Sequence, residues 1–239
     1  TDEIGDGNPI ETVIEKVVKS RADGVILFNN EEIEKEIALV NKYKIPAVVI
    51  GTSVTGKYMG SIFADAKKIA YEVVDKYLAQ GKSDILFVSP KQNLINIEEM
   101  ITGIQEAYQK YDLVFDATKQ VVHTSSHYEK SYPQFLEYFK NHRHDLVFTS
   151  YDKEAVAVVN AAIDNGIEIP DEMEVIGMMN TSYALICRPS LTSIHVPVYD
   201  MGALAVRLLT KILNDEEIEN KAVVIQHLLM PRATTKKDF

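Results

Sequence analysis

The chain has 239 residues, 46% of them hydrophobic, enough apolar material for one large core or two lobes. Its 25 basic residues face 35 acidic ones, a formal charge of -10, so its overall field does not suit gripping phosphate backbones, which takes a concentrated Lys/Arg surface. It contains no run of about 18 apolar residues, its opening TDEIGDGNPIE lacks the basic and apolar regions of a signal peptide, and its single cysteine, Cys187, forbids an internal disulfide. The expectation is a soluble cytoplasmic protein with no membrane segment.

In chain order, residues 10–20 carry apolar positions at helical period, and 24–28 (GVILF) form the first short β-branched run. A helix over 31–43 leads to a strand at 46–50 (PAVVI). Helical period returns over 66–79, ahead of the strand 84–88 (DILFV), and again over 97–111 and 132–141. The strand 145–149 (DLVFT) feeds a helix over 152–165, the strand 173–177 (MEVIG) follows, and a helix over 200–214 is the last long element. Short apolar strands that alternate with helices read as buried strands of parallel sheets. The spacing therefore predicts a doubly wound α/β architecture with right-handed crossovers. Asp65 and Asp152 stand as N-cap candidates, Glu154 adds early-turn negative charge, and Gly81, Gly166 and Asn214 sit where helices should stop.

Motifs that carry catalysis do not occur: no Gly-rich phosphate loop, no G-x-S-x-G elbow, no metal-ligand spacing. The pair His123 and His127, four apart in HTSSH, reads as a metal pair or, in so polar a stretch, as a solvated loop. His142 and His144 beside Arg143 read as an exposed helix terminus, where cations suit the dipole. Cys187 is read as unreactive. Neither a cofactor nor an enzymatic activity is expected.

Several segments together carry a family likeness: RPSLTSI (188–194), VPVYDMGALAVRLLTKIL (196–213), LVFTSYDKEAVAVVNAAIDNGIEIPDEMEVIGM (146–178), PRATTK (231–236), and the strands ADGVILF and PAVVIG with the helix and strand YEVVDKYLAQGKSDILFV. They resemble the effector-binding core of the LacI/GalR family of bacterial transcription regulators, which has the fold of periplasmic sugar-binding proteins. The string YDMGALAVRLLTKILN is similar to the catabolite control protein branch of that family. The resemblance implies a periplasmic-binding-protein-like fold of two doubly wound parallel-sheet lobes joined by crossing strands. Residues 1–64 with 197–225 would form one lobe and 65–196 with 226–239 the other, with a cleft that closes by hinge motion on a ligand. It also implies a homodimer that reads operator DNA through a helix-turn-helix headpiece absent from these residues. The family core has one more strand and helix ahead of the segment matching TDEIGDG, so a truncated start with an exposed apolar seam is expected. Physics accounts for the block at the crossing: Pro189 pre-sets a turn, LTSI supplies a β-branched crossover, Pro197 ends it, and Asp200 is placed to cap the last helix.

The resemblance further implies an effector cleft at Gly51, Met100, Tyr151, Asp152, Met179, Asn180 and Val196. In sugar- and nucleotide-sensing relatives the places of Gly51, Met100, Tyr151, Met179 and Val196 hold polar groups that bond the effector. A sugar hydroxyl buried without a partner costs about 1–3 kcal/mol, so losing four such partners would forfeit most of a micromolar site. Met178 and Met179 either fill the cleft as core or line an apolar one. A sugar or sugar-phosphate effector is possible on family grounds, and so is a protein coregulator. On the last helix Arg207 and Lys211 are four apart and share a face, while Leu204, Leu208 and Ile212 form the apolar stripe. That face reads as an ordinary solvated surface or, by resemblance to the catabolite control branch, as the anchor for seryl-phosphorylated phosphocarrier HPr, with Arg207 bidentate, Lys211 a point charge and Tyr199 an aromatic wall. The reading reached is the ligand- or coregulator-sensing core of a LacI/GalR-type regulator of carbohydrate metabolism; the alternative is a solute-binding protein of the same fold serving transport.

Overall fold

In a computed structural model of the chain, residues 13–28, 33–91 and 95–237 are described. They fall into two compact units, Thr1–Phe63 with Tyr199–Val223 and Ala64–Val198 with Val224–Phe239. The segment TDEIGDG, and with it the expected seam, lies outside the described residues.

In the first unit, α1 (Val13–Ser20), β1 (Val25–Phe28), α2 (Ile33–Tyr43), β2 (Ala47–Ile50) and β3 (Met59–Ala64) follow one another. β1, β2 and β3 pair in parallel, with Val48 and Val49 wholly buried. The helix α3 (Ala66–Leu78) opens the second unit, with Asp65 as its cap: the side chain accepts from the Lys68 amide at 2.9 Å. There follow β4 (Ile85–Pro90), α4 (Ile95–Lys110), α5 (Ala117–Gln120), β5 (Val121–Thr124), α6 (Tyr128–Tyr138), β6 (Leu146–Thr149), α7 (Asp152–Asp164), β7 (Glu174–Met178), α8 (Ser182–Ile186) and β8 (Thr192–His195). Then α9 (Val198–Leu213) and β9 (Ala222–Ile225) belong to the first unit apart from their ends, and β10 (Leu228–Met230) to the second.

The sheet orders are β1-β2-β3-β9 and β10-β8-β7-β6-β4-β5. β4 has β5 on one side and β6 on the other, all parallel, which is the strand-order reversal of a doubly wound sheet. The α/β class and mostly parallel sheets are thus as the spacing predicts. One strand departs from it, because β10 runs antiparallel to β8 at the sheet edge.

β3, β5, β9 and β10 escape the periodicity: β5, β9 and β10 are short and half-exposed, β3 is six residues interrupted by Gly60 and Ser61, and β8 is the β-branched crossover segment LTSI. β3 contains Gly60, where a Cβ would meet Leu208 at 2.7 Å and the Lys221 carbonyl at 2.9 Å, so the glycine marks the close approach of α9 and β9 rather than a turn. Other placements also differ from expectation. Asp152 is the first residue of α7, not its cap; Tyr151 holds the cap position. α9 begins at Val198, directly after Pro197, so Asp200 lies in its first turn. α6 starts at Tyr128 instead of 132. His123 lies in β5 rather than in a loop, exposed to solvent as expected, with its Nδ1 3.0 Å from Ser89 Oγ, and the His144 ring, only 9% exposed, sits between Tyr138 Oη at 2.9 Å and Asp84 at 2.7 Å. Gly81 and Gly166 do take the left-handed φ of +76° and +75° that ends a helix, whereas after α9 Asp215 takes it, at 56°, rather than Asn214.

The second unit is tied at both ends of its sheet. Buried Glu174 accepts from Tyr77 at 3.0 Å, from Lys82 at 2.6 Å and from the Lys236 amide at 3.0 Å. Burial, followed by the neighbouring carboxylate, pushes the Tyr77 hydroxyl far above its ordinary range. The closing segment is held by Thr234, whose hydroxyl donates to Val175 O at 2.7 Å and accepts from the Thr192 amide at 2.8 Å.

α3 packs on α4 so closely that a Cβ on Gly103 would land on the Lys67 carbonyl. Backbone cannot step aside cheaply, so Gly103→Ala is expected to cost about 2–3 kcal/mol and to lower the melting midpoint by roughly 5–10 °C. Calorimetry checks this; an unchanged midpoint would show that the two helices can separate at no cost.

Candidate functional site

The carboxyl ends of β6 and β7 frame a cavity of about 220 Å3, lined by Ser126, Tyr151, Asp152, Lys153, Glu154, Met178, Met179, Thr181 and Tyr183. All belong to the second unit. Loops at strand carboxyl ends, beside a strand-order reversal, are where doubly wound sheets place ligands.

Asp152 builds the site. It is 1% exposed, and its carboxylate leaves α7 to reach the next turn: it accepts from the Thr181 amide at 2.5 Å, from Thr181 Oγ1 at 2.8 Å and from Ser193 Oγ at 2.5 Å. Burial nevertheless pushes its carboxyl up from the usual range, against those donors and the pull of Arg232. Gly177 makes the approach possible, since a Cβ there would come within 2.5 Å of Asp152 Oδ1. Beyond Asp152, Met179 and Asn180 turn the chain with φ of 95° and 49°. The turn is pinned by Met179 N to Ile194 O at 2.8 Å, by Asn180 N to Ser193 Oγ at 2.9 Å and by the Arg232 guanidinium to Asn180 Oδ1 at 2.6 Å. Arg232 also donates to Leu191 O at 2.7 Å.

On the other side, Tyr151 pairs its phenol with Asn96 of α4, and burial raises that phenol above its ordinary range. Glu154 is 2% exposed; it accepts from Ser150 Oγ at 3.1 Å and from the Tyr151 backbone, as the third helical residue of a capping box would. Those two donors do not offset its burial, and its carboxyl is pushed up to about 7.

Of the residues expected in an effector cleft, Tyr151, Asp152 and Met179 come together here. Asn180 stands behind them in the hydrogen-bond network. Met100 is fully buried in α4 and Val196 is 4% exposed, and neither lines the cavity. Gly51 lies in the first unit at φ 101°, where a side chain is strained, so the backbone itself disfavours the polar group that the resemblance implies for this place. Thr181, Ser193, Gly177 and Arg232 are the functional residues that sequence reasoning missed; PRATTK was a recognisable string, but nothing in it says that Arg232 reaches Asn180. Met178 is 6% exposed, so it serves both as core and as cavity wall. Cys187 is buried, and burial raises its thiol despite the adjacent Arg188.

On α9, Met201, Ala205 and Leu208 are buried, while Leu204 and Ile212 are only half-buried, so the apolar stripe is centred one position away from the predicted one. Tyr199 is 86% exposed, and Arg207 and Lys211 are exposed one turn apart. Neither cation forms an ion pair among the described residues. No group of three or more His, Cys, Asp or Glu that could hold a metal occurs among them either.

Residues 74–235 match the family described as periplasmic binding protein-like domain. Catabolite control protein A of Staphylococcus aureus (strain MRSA252) is 30% identical over 224 residues, covering 94% of this chain and 68% of the relative. Among solved structures, the transcription regulator CcpA of Lactococcus lactis superposes with a TM-score of 0.80 at 28% identity, over 94% of this chain and 82% of that one. The transcriptional regulator CelR in complex with cellobiose shares the fold, with a TM-score of 0.79 at 20% identity over 93% of this chain and 68% of that one.

Glu154 makes stability depend on pH. Its folded pKa lies above the unfolded value, so the stability it contributes is fully present below about pH 4.5 and is lost as pH rises through 7, by about 3 kcal/mol in all. Glu154→Gln keeps an acceptor for Ser150 and has no charge to bury. The midpoint of E154Q should therefore match the parent near pH 4 and exceed it by several degrees at pH 8; an offset independent of pH would mean that Glu154 does not titrate in this window.

Proposed function

The chain belongs to the LacI family of transcription regulators and carries its periplasmic-binding-protein-like sensing core, and on that premise we propose that it controls operator binding in carbohydrate metabolism by receiving a phosphorylated protein coregulator. The observation that carries this is the exposed face of α9, where Arg207 and Lys211 stand one turn apart with no carboxylate partner among the described residues, below the exposed ring of Tyr199. Arg offers a bidentate fork to a phosphoryl group and Lys a mobile point charge. The partner that fits is seryl-phosphorylated HPr. The chain acts as a homodimer in the cytoplasm, coupled to DNA through a helix-turn-helix headpiece of the kind the resemblance implies, with lobes at 1–64 plus 197–225 and 65–196 plus 226–239. The effector cleft of Gly51, Met100, Tyr151, Asp152, Met179, Asn180 and Val196 then has a reduced role toward sugars and sugar phosphates. No catalytic step or cofactor is needed. A transport role is not favoured, since the relatives that support the family are regulators.

Two measurements test this. Arg207→Ala should weaken binding of seryl-phosphorylated HPr by about tenfold or more, the usual effect of removing a charged hydrogen-bond partner, and leave the melting midpoint in place; equal affinity would reduce α9 to scaffold. Titration calorimetry with free glucose should give no binding tighter than about 10 μM, since the cavity offers hydroxyls few free partners.

A further inference from the structure

The cavity at the ends of β6 and β7 has a chemistry of its own. Four of its polar neighbours are occupied. Asp152 spends its oxygens on Thr181 and Ser193. Glu154 is engaged by Ser150 and the Tyr151 backbone. The Thr181 hydroxyl donates to Asp152 and the Tyr151 phenol is paired with Asn96. What remains to face the space is the rings of Tyr151 and Tyr183 and the thioethers of Met178 and Met179, with Ser126 and Lys153 at the wall, and the surface they offer is apolar almost throughout. A sugar would bury its hydroxyls there against carbon and sulfur, and each would lack a partner.

We infer that this cavity binds a neutral planar aromatic molecule, of indole size, held by stacking on Tyr151 and Tyr183 and by sulfur contacts from Met178 and Met179. Size supports the class: an apolar cavity of about 150 Å3 stays dry and takes benzene, so about 220 Å3 has room for about nine non-hydrogen atoms. The lining supports it too. Thioether sulfur favours the edges of aromatic rings, and Tyr rings stack in offset fashion. Met179 is moreover held at a φ of 95°, a conformation that glycine would adopt without strain, and that backbone carries its side chain to the wall. The inference gives a ligand class to the cleft whose role toward sugars is reduced above, so its regulatory meaning rests on the chain being a regulator, while binding itself does not.

Methyl NMR of the chain labelled at the methionine ε-carbons reads the site directly. The seven methionines include Met178 and Met179, assigned by Met178→Leu and Met179→Leu, and the other five serve as internal controls. Titrated indole should shift these two methyls saturably through its ring current while the rest stay in place, and glucose and cyclohexanol should not. Met179→Gly removes a wall residue at a position where glycine fits the backbone, so its melting midpoint should hold while indole binds about tenfold more weakly. If indole leaves both methyls unmoved up to its solubility limit, or if glucose or cyclohexanol moves them as far as indole does, the assignment is overturned. If indole binds and operator affinity of the regulator does not change, the ligand class stands and the sensing role fails.

Discussion

Asp152 places one buried carboxylate where three stretches of chain meet, and the arrangement around the cavity depends on it. The start of α7, the turn after β7 and the middle of β8 have no covalent reason to keep a fixed spacing. They keep it because the Thr181 amide, the Thr181 hydroxyl and the Ser193 hydroxyl all point at Asp152. A buried acid with three donors is nearly compensated, yet its carboxyl is still pushed up, so its burial costs more than its partners return. Such a group is kept for geometry more than for net stability. Gly177 belongs to the same device, since only a residue without a Cβ lets the strand pass so close to the carboxylate.

Once that anchor is set, the turn beyond it can hold conformations that Met179 and Asn180 would not choose alone. A non-glycine residue in the left-handed region costs roughly 1–3 kcal/mol, and it persists because Ile194, Ser193 and Arg232 bond the turn from outside. Arg232 comes from the closing segment, which Thr234 and Lys236 stitch to β7 and β8. The end of the chain thus holds the floor of the cavity. On the opposite wall Glu154 is buried with two donors and a carboxyl pushed up to about 7, so the same small region holds two buried acids whose donors do not fully offset their burial.

α9 solves a different problem. Its buried side is set by Leu208 and Leu209, which occupy the space that Cβ atoms on Gly60 and Gly24 would need, so the helix lies unusually near the sheet of its own unit. That contact consumes one side of the helix and leaves Tyr199, Val206, Arg207 and Lys211 in water. Two cations without an ion pair among the described residues and an exposed tyrosine thus stand on a helix whose backbone is already fixed by packing.

The sequence by itself determined the strong alternation: strands such as PAVVI and DILFV are buried on both faces and announce themselves by composition, and the helices between them by period. It also carried Asp65 as a cap, because a cap is a local bond between residues three apart. Other features were decided by contacts far along the chain. β3 and β10 are strands because of their neighbours, not their residues. Asp152 looks like a cap in sequence, and only the arrival of Thr181 and Ser193, 29 and 41 residues away, turns it into a bridge. Met100 and Met179 are equivalent as methionines; packing buried the first in α4 and set the second on a cavity wall. A sequence records which side chains are available, whereas burial and long-range hydrogen bonds decide which of them meet, since both are properties of the packed chain and not of its local pattern.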